Sequence, residues 1–138
     1  MPRLLKICGG AIYEQEDVEK LSTAAKGKIN LLNSNFGKYF MRAIMAGFFI
    51  DVAMIYSNVV GNVFSKTFPE WGKFLGAIVF SIAVLLIVMV GGELFTGNNL
   101  VMAFGAYDKS VSWKDVGKVW GISYIGNFVG CLILALIL

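Results

Sequence analysis

Gly91-Gly92-Glu93-Leu94-Phe95-Thr96-Gly97-Asn98-Asn99 interrupts the longest apolar run of the chain. Before it, Phe74 to Gly92 carries no charge; after Glu93, the stretch Leu94 to Tyr107 is again uncharged. A straight helix over about 73–106 would be roughly 50 Å long, against about 30 Å for a bilayer's hydrocarbon core. The sequence therefore predicts a broken helix. Three glycines, a carboxylate and two asparagines between 91 and 99 make that segment the weakest part of the run. An acid at membrane depth costs about 2.5–3.5 kcal/mol and persists only when it faces protein or water. Non-helical backbone at that depth is tolerated only in a cavity wall or against other protein, so a break there marks a candidate solute path. Thr96, Asn98 and Asn99 are candidate caps for a second half-helix starting near Leu100, whose positive end would favour an anion.

Two further runs flank this one. Ala43 to Ser65 lies between Arg42 and Lys66 with a single charge, Asp51, inside it, and Val119 to Leu138 has none. The spans are expected at about 38–65, 73–106 and 115–138, forming a transmembrane region over 38–138 behind a polar N-terminal segment at 1–37. Lys66 to Lys73 reads as the first loop, with Pro69 stopping one helix and Trp71 at headgroup level. In the N-terminal segment, acids precede bases over about 14–33, as a helix dipole prefers. Val18, Leu21, Ala25 and Ile29 share one face, which suits a helix on the membrane surface or against its own bundle.

Composition supports the membrane reading: of 138 residues, 57% are apolar and 15% charged, and the mean hydropathy is +0.72. Soluble domains average about 25% charged. The absence of histidine removes a His base, metal ligand or proton relay from this chain. Cys8 and Cys131 lack any ligand or redox spacing and read as ordinary thiols. No metal or other cofactor is expected. Of the twelve Lys and Arg, seven precede the first span, two lie in the first loop and three in the second. The positive-inside rule then puts the N-terminus and second loop in the cytoplasm. Bases at span flanks give no nucleic-acid surface. Asp51, about 13 Å into its span, is expected to make an interhelical polar contact or to bond Ser57 or Asn58. Gly72/Gly76, Gly117/Gly121 and Gly126/Gly130 have the spacing of close helix contacts, the last pair a candidate contact between protomers.

Gly91-Gly92-Glu93-Leu94-Phe95-Thr96-Gly97-Asn98 resembles the signature of the formate/nitrite transporter family, and Trp120 to Gly130, containing Gly126-Asn127, resembles that family's third helix. The resemblance runs in order over about residues 10–138. It implies an all-α membrane protein with an aquaporin-like fold, built from two inverted repeats of three spans, of which this chain carries the first, with its second helix broken. It further implies a channel for small monovalent anions such as formate, nitrite or hydrosulfide, assembled at full length as a homopentamer in the cell membrane, most naturally a prokaryotic inner membrane. By position, Thr96 resembles the family's loop threonine, Leu94 and Phe95 its cytoplasmic-side constriction, and Phe80 its outer apolar constriction, with Val84 one turn below leaning on the inner one. Gly91, Gly92, Glu93 and Gly97 would shape the loop, and Asn98 and Asn99 would lie along the path. The family's histidine lies in the second repeat, so the chain reads as one half of a protein about twice as long.

Other classes fit less well. An aquaporin-type neutral-solute channel would carry an Asn-Pro-Ala loop, whereas the two prolines are Pro2 and Pro69. An accessory membrane subunit has no need of a glycine-rich polar break. An intramembrane hydrolase would need a nucleophile and base at mid-depth, and neither a histidine nor a GxSxG motif is present. The chain is not expected to be an enzyme.

Overall fold

The computed structural model describes the backbone of residues 5–8 and 11–138 and the side chains from Glu16 onward. The thiol of Cys8, read above as an ordinary thiol, lies outside the described residues. A short antiparallel pair, β1 (Leu5–Cys8) and β2 (Ala11–Glu14), precedes the helices and pairs Leu5 with Glu14 and Cys8 with Ala11. The sequence pattern did not announce this hairpin. Five helices follow: α1 (Gln15–Ser34), α2 (Phe36–Thr67), α3 (Pro69–Val90), α4 (Phe95–Tyr107) and α5 (Trp113–Ile137). Among the described residues, α2, α3 and α5 are long and apolar enough to cross a membrane. The 13 residues of α4 reach only about 20 Å.

Local chemistry sets the helix ends. Asn35 separates α1 from α2 and accepts from the Lys38 N–H at 2.9 Å, an N-cap. Ser112 does the same for α5 through the Asp115 N–H. Pro69 does not stop α2 behind an eight-residue loop. The turn is Phe68 alone, and Pro69 opens α3, where its missing N–H is harmless and its fixed φ suits a first helical residue. Because α3 starts that early, its 22 residues span about 33 Å by themselves. Excess length is therefore not what breaks the run. The break lies at the C-terminal end of a span-long helix, and its cause is local.

Antiparallel packing joins α3 to α2, with Gly72 against Gly61 and Ser65, Gly76 against Ser57 and Gly61, and Gly92 against Ala46. Ser57 Oγ donates to the Gly76 carbonyl at 2.7 Å. A parallel seam joins α5 to α2: Tyr39 meets Ser123, Ala43 meets Asn127 and Gly47 meets Cys131, each 84 residues apart. Gly47 and Gly130 are obligatory there, since a methyl at either would overlap backbone of the facing helix. Gly126 and Gly130 thus pack inside the chain against α2, not at a protomer contact, while Gly117 and Gly121 face open space. Ser57 and Asn58 bond the carbonyls of Gly76 and Met54 rather than Asp51.

Against α4, helix α1 runs antiparallel, with Ala25 packed on Gly105 and Ser22 Oγ donating to Asp108 Oδ2 at 2.7 Å. Val18 and Ala25 of the expected stripe are buried, with Ser22 and Leu32 beside them. This helix lies on its own bundle. On its outer face Lys20 sits 2.7 Å from Glu16, and the hydrogen bond and charge of Lys20 hold the Glu16 carboxyl below its ordinary pKa. The core gathers Ala25, Leu32, Tyr39, Met102, Ala106, Val116 and Val119, so four helices meet at the α1 end.

Candidate functional site

The interruption is four residues long, Gly91 to Leu94, and a helix-ending motif produces it. Gly91 takes φ 68° and ψ 41°, the left-handed region. Its N–H bonds the Val88 carbonyl at 3.2 Å while the Gly92 N–H bonds Ile87 at 2.7 Å, the paired bonds of a Schellman stop. A side chain at Gly91 would add about 1–2 kcal/mol of strain. Gly92 then passes close to α2, where a Cβ would sit 3.3 Å from Ala46 Cβ. The Glu93 N–H donates to the Arg42 carbonyl at 3.2 Å. The chain is thereby pinned to α2 before it turns into α4.

One residue of α5 holds the far side of the break. Asn127 Oδ1 accepts from the Phe95 N–H at 2.9 Å. Its Nδ2 donates to the carbonyls of Ala43 at 2.8 Å and Glu93 at 3.0 Å. A single primary amide thus fastens the broken segment, α2 and α5 together, with both its donor and acceptor functions engaged. Thr96, Asn98 and Asn99 do not cap the second half-helix: α4 begins at Phe95, its N-cap Leu94 offers no side-chain bond, and the cap comes from Asn127 across the seam. All four residues from Thr96 to Asn99 were expected to be cap or loop; all four are helical.

Immediately below, Asn98, Tyr39 and Ser123 form a closed buried ring. Asn98 Nδ2 donates to Tyr39 Oη at 2.9 Å and to Ser123 Oγ at 2.6 Å. Tyr39 Oη and Ser123 Oγ lie 2.7 Å apart. Since the Ser123 hydroxyl donates to the Val119 carbonyl at 2.8 Å, the tyrosine is the donor to the serine. All three residues are essentially inaccessible, and a satisfied network of this kind fixes α2, α4 and α5 in one register.

Glu93 is buried and answered by a cation from outside the spans. Its Oε2 sits 2.6 Å from Lys28 Nζ of α1, with side-chain exposures of 7% for Glu93 and 21% for Lys28. The carboxylate therefore accepts from a lysine 65 residues away, not from backbone, and its role is to tie α1 to the break.

A groove of about 440 Å³ opens beside this segment, lined by Val84, Ile87 and Val88 of α3, Gly91 to Leu94 of the break, Gly97, Asn98 and Val101 of α4, and Lys28 and Arg42. The Arg42 guanidinium carbon is 3.9 Å from where a Cβ would stand at Gly91. The first turn of α4 keeps unpaired amides. Phe95 N–H is met by Asn127 and Asn98 N–H by Leu94, but the N–H groups of Thr96 and Gly97 have no acceptor among the described residues. Thr96 and Gly97 are exposed.

Of the residues expected to line a path, Val84, Leu94 and Asn98 meet at this groove with Gly91, Gly92, Glu93 and Gly97. Phe80, half-buried on α3, Phe95, Thr96 and Asn99 lie outside it. The Phe95 ring packs edge-on against Tyr124 at 5.5 Å. Asn99 Oδ1 is buried without a partner among the described residues. Lys28, Tyr39, Ser123 and Asn127 were not anticipated. A polar side chain inside an apolar span was the available signal for Asn127, whereas nothing in the sequence joins Lys28 to Glu93.

The formate/nitrite transporter family model matches residues 15–138. The chain is 30% identical over 125 residues to the uncharacterized transporter YwcJ of Bacillus subtilis, covering 91% of this chain and 49% of that protein. It is 30% identical over 132 residues to the formate-nitrite transporter of Plasmodium falciparum, covering 91% and 40% respectively. With the formate channel FocA of Escherichia coli it shares 33% identity over 102 residues, 73% of this chain and 35% of that one. Among solved structures, an FNT family ion channel superposes with a TM-score of 0.81 at 24% identity, over 88% of this chain and 48% of that chain, which establishes the fold. The chain spans half or less of the length of these relatives.

Proposed function

The chain belongs to the formate/nitrite transporter family, and from that premise we propose that it builds the first half of a membrane conduit for small monovalent anions. The observation that carries this reading is the first turn of α4. Its Thr96 and Gly97 N–H groups and the exposed Thr96 hydroxyl stand at the positive end of a helix, next to a groove walled by Arg42. Donors of this kind replace the water that a small anion gives up, and the dipole adds about 0.3–1 kcal/mol for negative charge. Val84 and Leu94 supply apolar walls that disfavour large hydrated ions. Thr96 is the donor to the passing anion, Phe80 and Phe95 narrow the path, and Asn98 positions the turn through Tyr39 and Ser123.

The proposal extends to assembly and placement. The relatives it matches are at least about twice as long, so a second repeat of comparable size would close the other side of the path. The buried Asn99 Oδ1 and the open side of Thr96 would meet it. In a homopentamer each protomer would carry its own pore. Ten of the twelve basic residues precede the first span or lie in the second loop, which directs that face to the cytoplasm of a cell membrane.

The test is Thr96→Val, nearly isosteric but without a hydroxyl, in a protein of family length carrying this sequence as its first half. Proteoliposome flux of formate, nitrite and hydrosulfide should fall about tenfold or more, as loss of one charge-assisted bond implies, with assembly unchanged. Undiminished flux of all three would remove Thr96 from the path.

A further inference from the structure

A hollow of about 660 Å³ lies away from the break, between α1 and the α4–α5 connection. Two lysines, Lys26 and Lys109, stand in its wall beside Ile29, Val111 and Trp113. Both are exposed, and neither has a side-chain partner among the described residues. Lys109 is the one described non-glycine residue with positive φ, 59°, so the connection holds it in a conformation a lysine rarely adopts. One acid shares the wall, Asp115, whose carboxylate accepts from Ser112 Oγ at 2.8 Å, so the lysines outnumber it two to one; Asp108 beside the hollow accepts from Ser22 Oγ at 2.7 Å. Two unpaired cations thus face a hollow with an apolar flank.

Its place in the fold says what such a hollow meets. The α5 helix is long and apolar enough to cross a membrane, so its first residue stands at a polar–apolar boundary. Trp113, exposed and packed edge-on against Tyr107 at 5.7 Å, is the aromatic pair expected at headgroup level. A freely dissolved anion would use the lysines and leave the Ile29–Val111–Trp113 wall idle. A phosphate attached to acyl chains uses both. We propose that this hollow seats the headgroup of an anionic phospholipid, its phosphate on Lys26 and Lys109 and its glycerol end against Ile29, Val111 and Trp113. The site is independent of the anion path, and it stands or falls without Thr96.

The experiment is native mass spectrometry of the detergent-solubilised chain titrated with dioleoyl phosphatidylglycerol, with dioleoyl phosphatidylcholine, and with inorganic phosphate. Phosphatidylglycerol should bind about 25-fold more tightly than phosphatidylcholine, and the preference should vanish in Lys26→Gln/Lys109→Gln, since each lysine near an anionic headgroup is worth about fivefold. Lys26→Arg/Lys109→Arg should keep it, which separates lost charge from lost folding. Lys66→Gln/Lys73→Gln, the same charge change at the opposite end, should keep it as well. Equal binding of the two lipids, or a preference that survives the glutamine pair, would overturn the proposal. Displacement of phosphatidylglycerol by millimolar inorganic phosphate would overturn the lipid source and leave a free-anion site.

Discussion

The two ends of this molecule are built on opposite rules. Where α1, α4, α5 and the start of α2 meet, large side chains point inward: Tyr39, Met102, Val116 and Val119 are fully buried, and polar groups among them are paired. In the α2–α3 hairpin beyond the break, three of the four buried residues of α3 are small, Gly72, Gly76 and Ala83, with Ile87 the fourth, while Phe74, Ile78, Ile82, Leu85 and Met89 are exposed. Burying large apolar groups drives association in water. In lipid, close backbone approach and van der Waals packing take over. The break at 91–94 lies at the junction, where one helix ends by the second rule and the next begins by the first. It is held by bonds from both sides: the Arg42 carbonyl of α2, Asn127 of α5, itself donating to the Ala43 carbonyl of α2, and Lys28 of α1.

That contrast can be broken in graded steps. Asn127→Leu should have the largest effect, because it orphans the Phe95 N–H and the Glu93 carbonyl and puts a branched chain in the α2–α5 seam. Unfolding in mixed micelles should show a loss of about 3–5 kcal/mol, and a loss under 1 kcal/mol would deny Asn127 its role. Glu93→Gln comes next, at about 1–3 kcal/mol, discounted because Lys28 is partly exposed. Lys28→Met/Glu93→Gln should recover most of that loss, since no buried charge is then left alone, and a double variant no better than the single would sink the pairing. Gly91→Ala should cost about 1–2 kcal/mol through strain at positive φ. Three residues earlier, Val88→Ala on the exposed face of α3 should stay within about 0.5 kcal/mol.

Much of this was legible in the sequence. The glycine-rich acid-bearing motif gave the existence and address of the break, and the Val18/Ala25 stripe gave the buried face of α1, because both depend on local spacing. Family resemblance carried the fold further than periodicity could. The misses have a common cause. The Asn127 cap on Phe95 reaches across 32 residues and the Lys28–Glu93 pair across 65, and no local rule reports which distant group completes a buried one. Thr96, Asn98 and Asn99 carry side chains suited to capping, yet the first helical turn had an acceptor waiting on another helix. Pro69 was ambiguous for a different reason: the same residue ends one helix or begins the next, and only the one-residue turn at Phe68 decides.

The most direct test is the accessibility of position 96 to a charged thiol reagent in proteoliposomes. Thr96→Cys, in a family-length background with Cys8, Cys131 and any other thiol replaced, should react with a water-soluble methanethiosulfonate and be slowed several-fold by saturating formate. Ile82→Cys, on the exposed side of α3, should not react. An unreactive Thr96→Cys, or a rate that formate leaves unchanged, would contradict an anion path at the break.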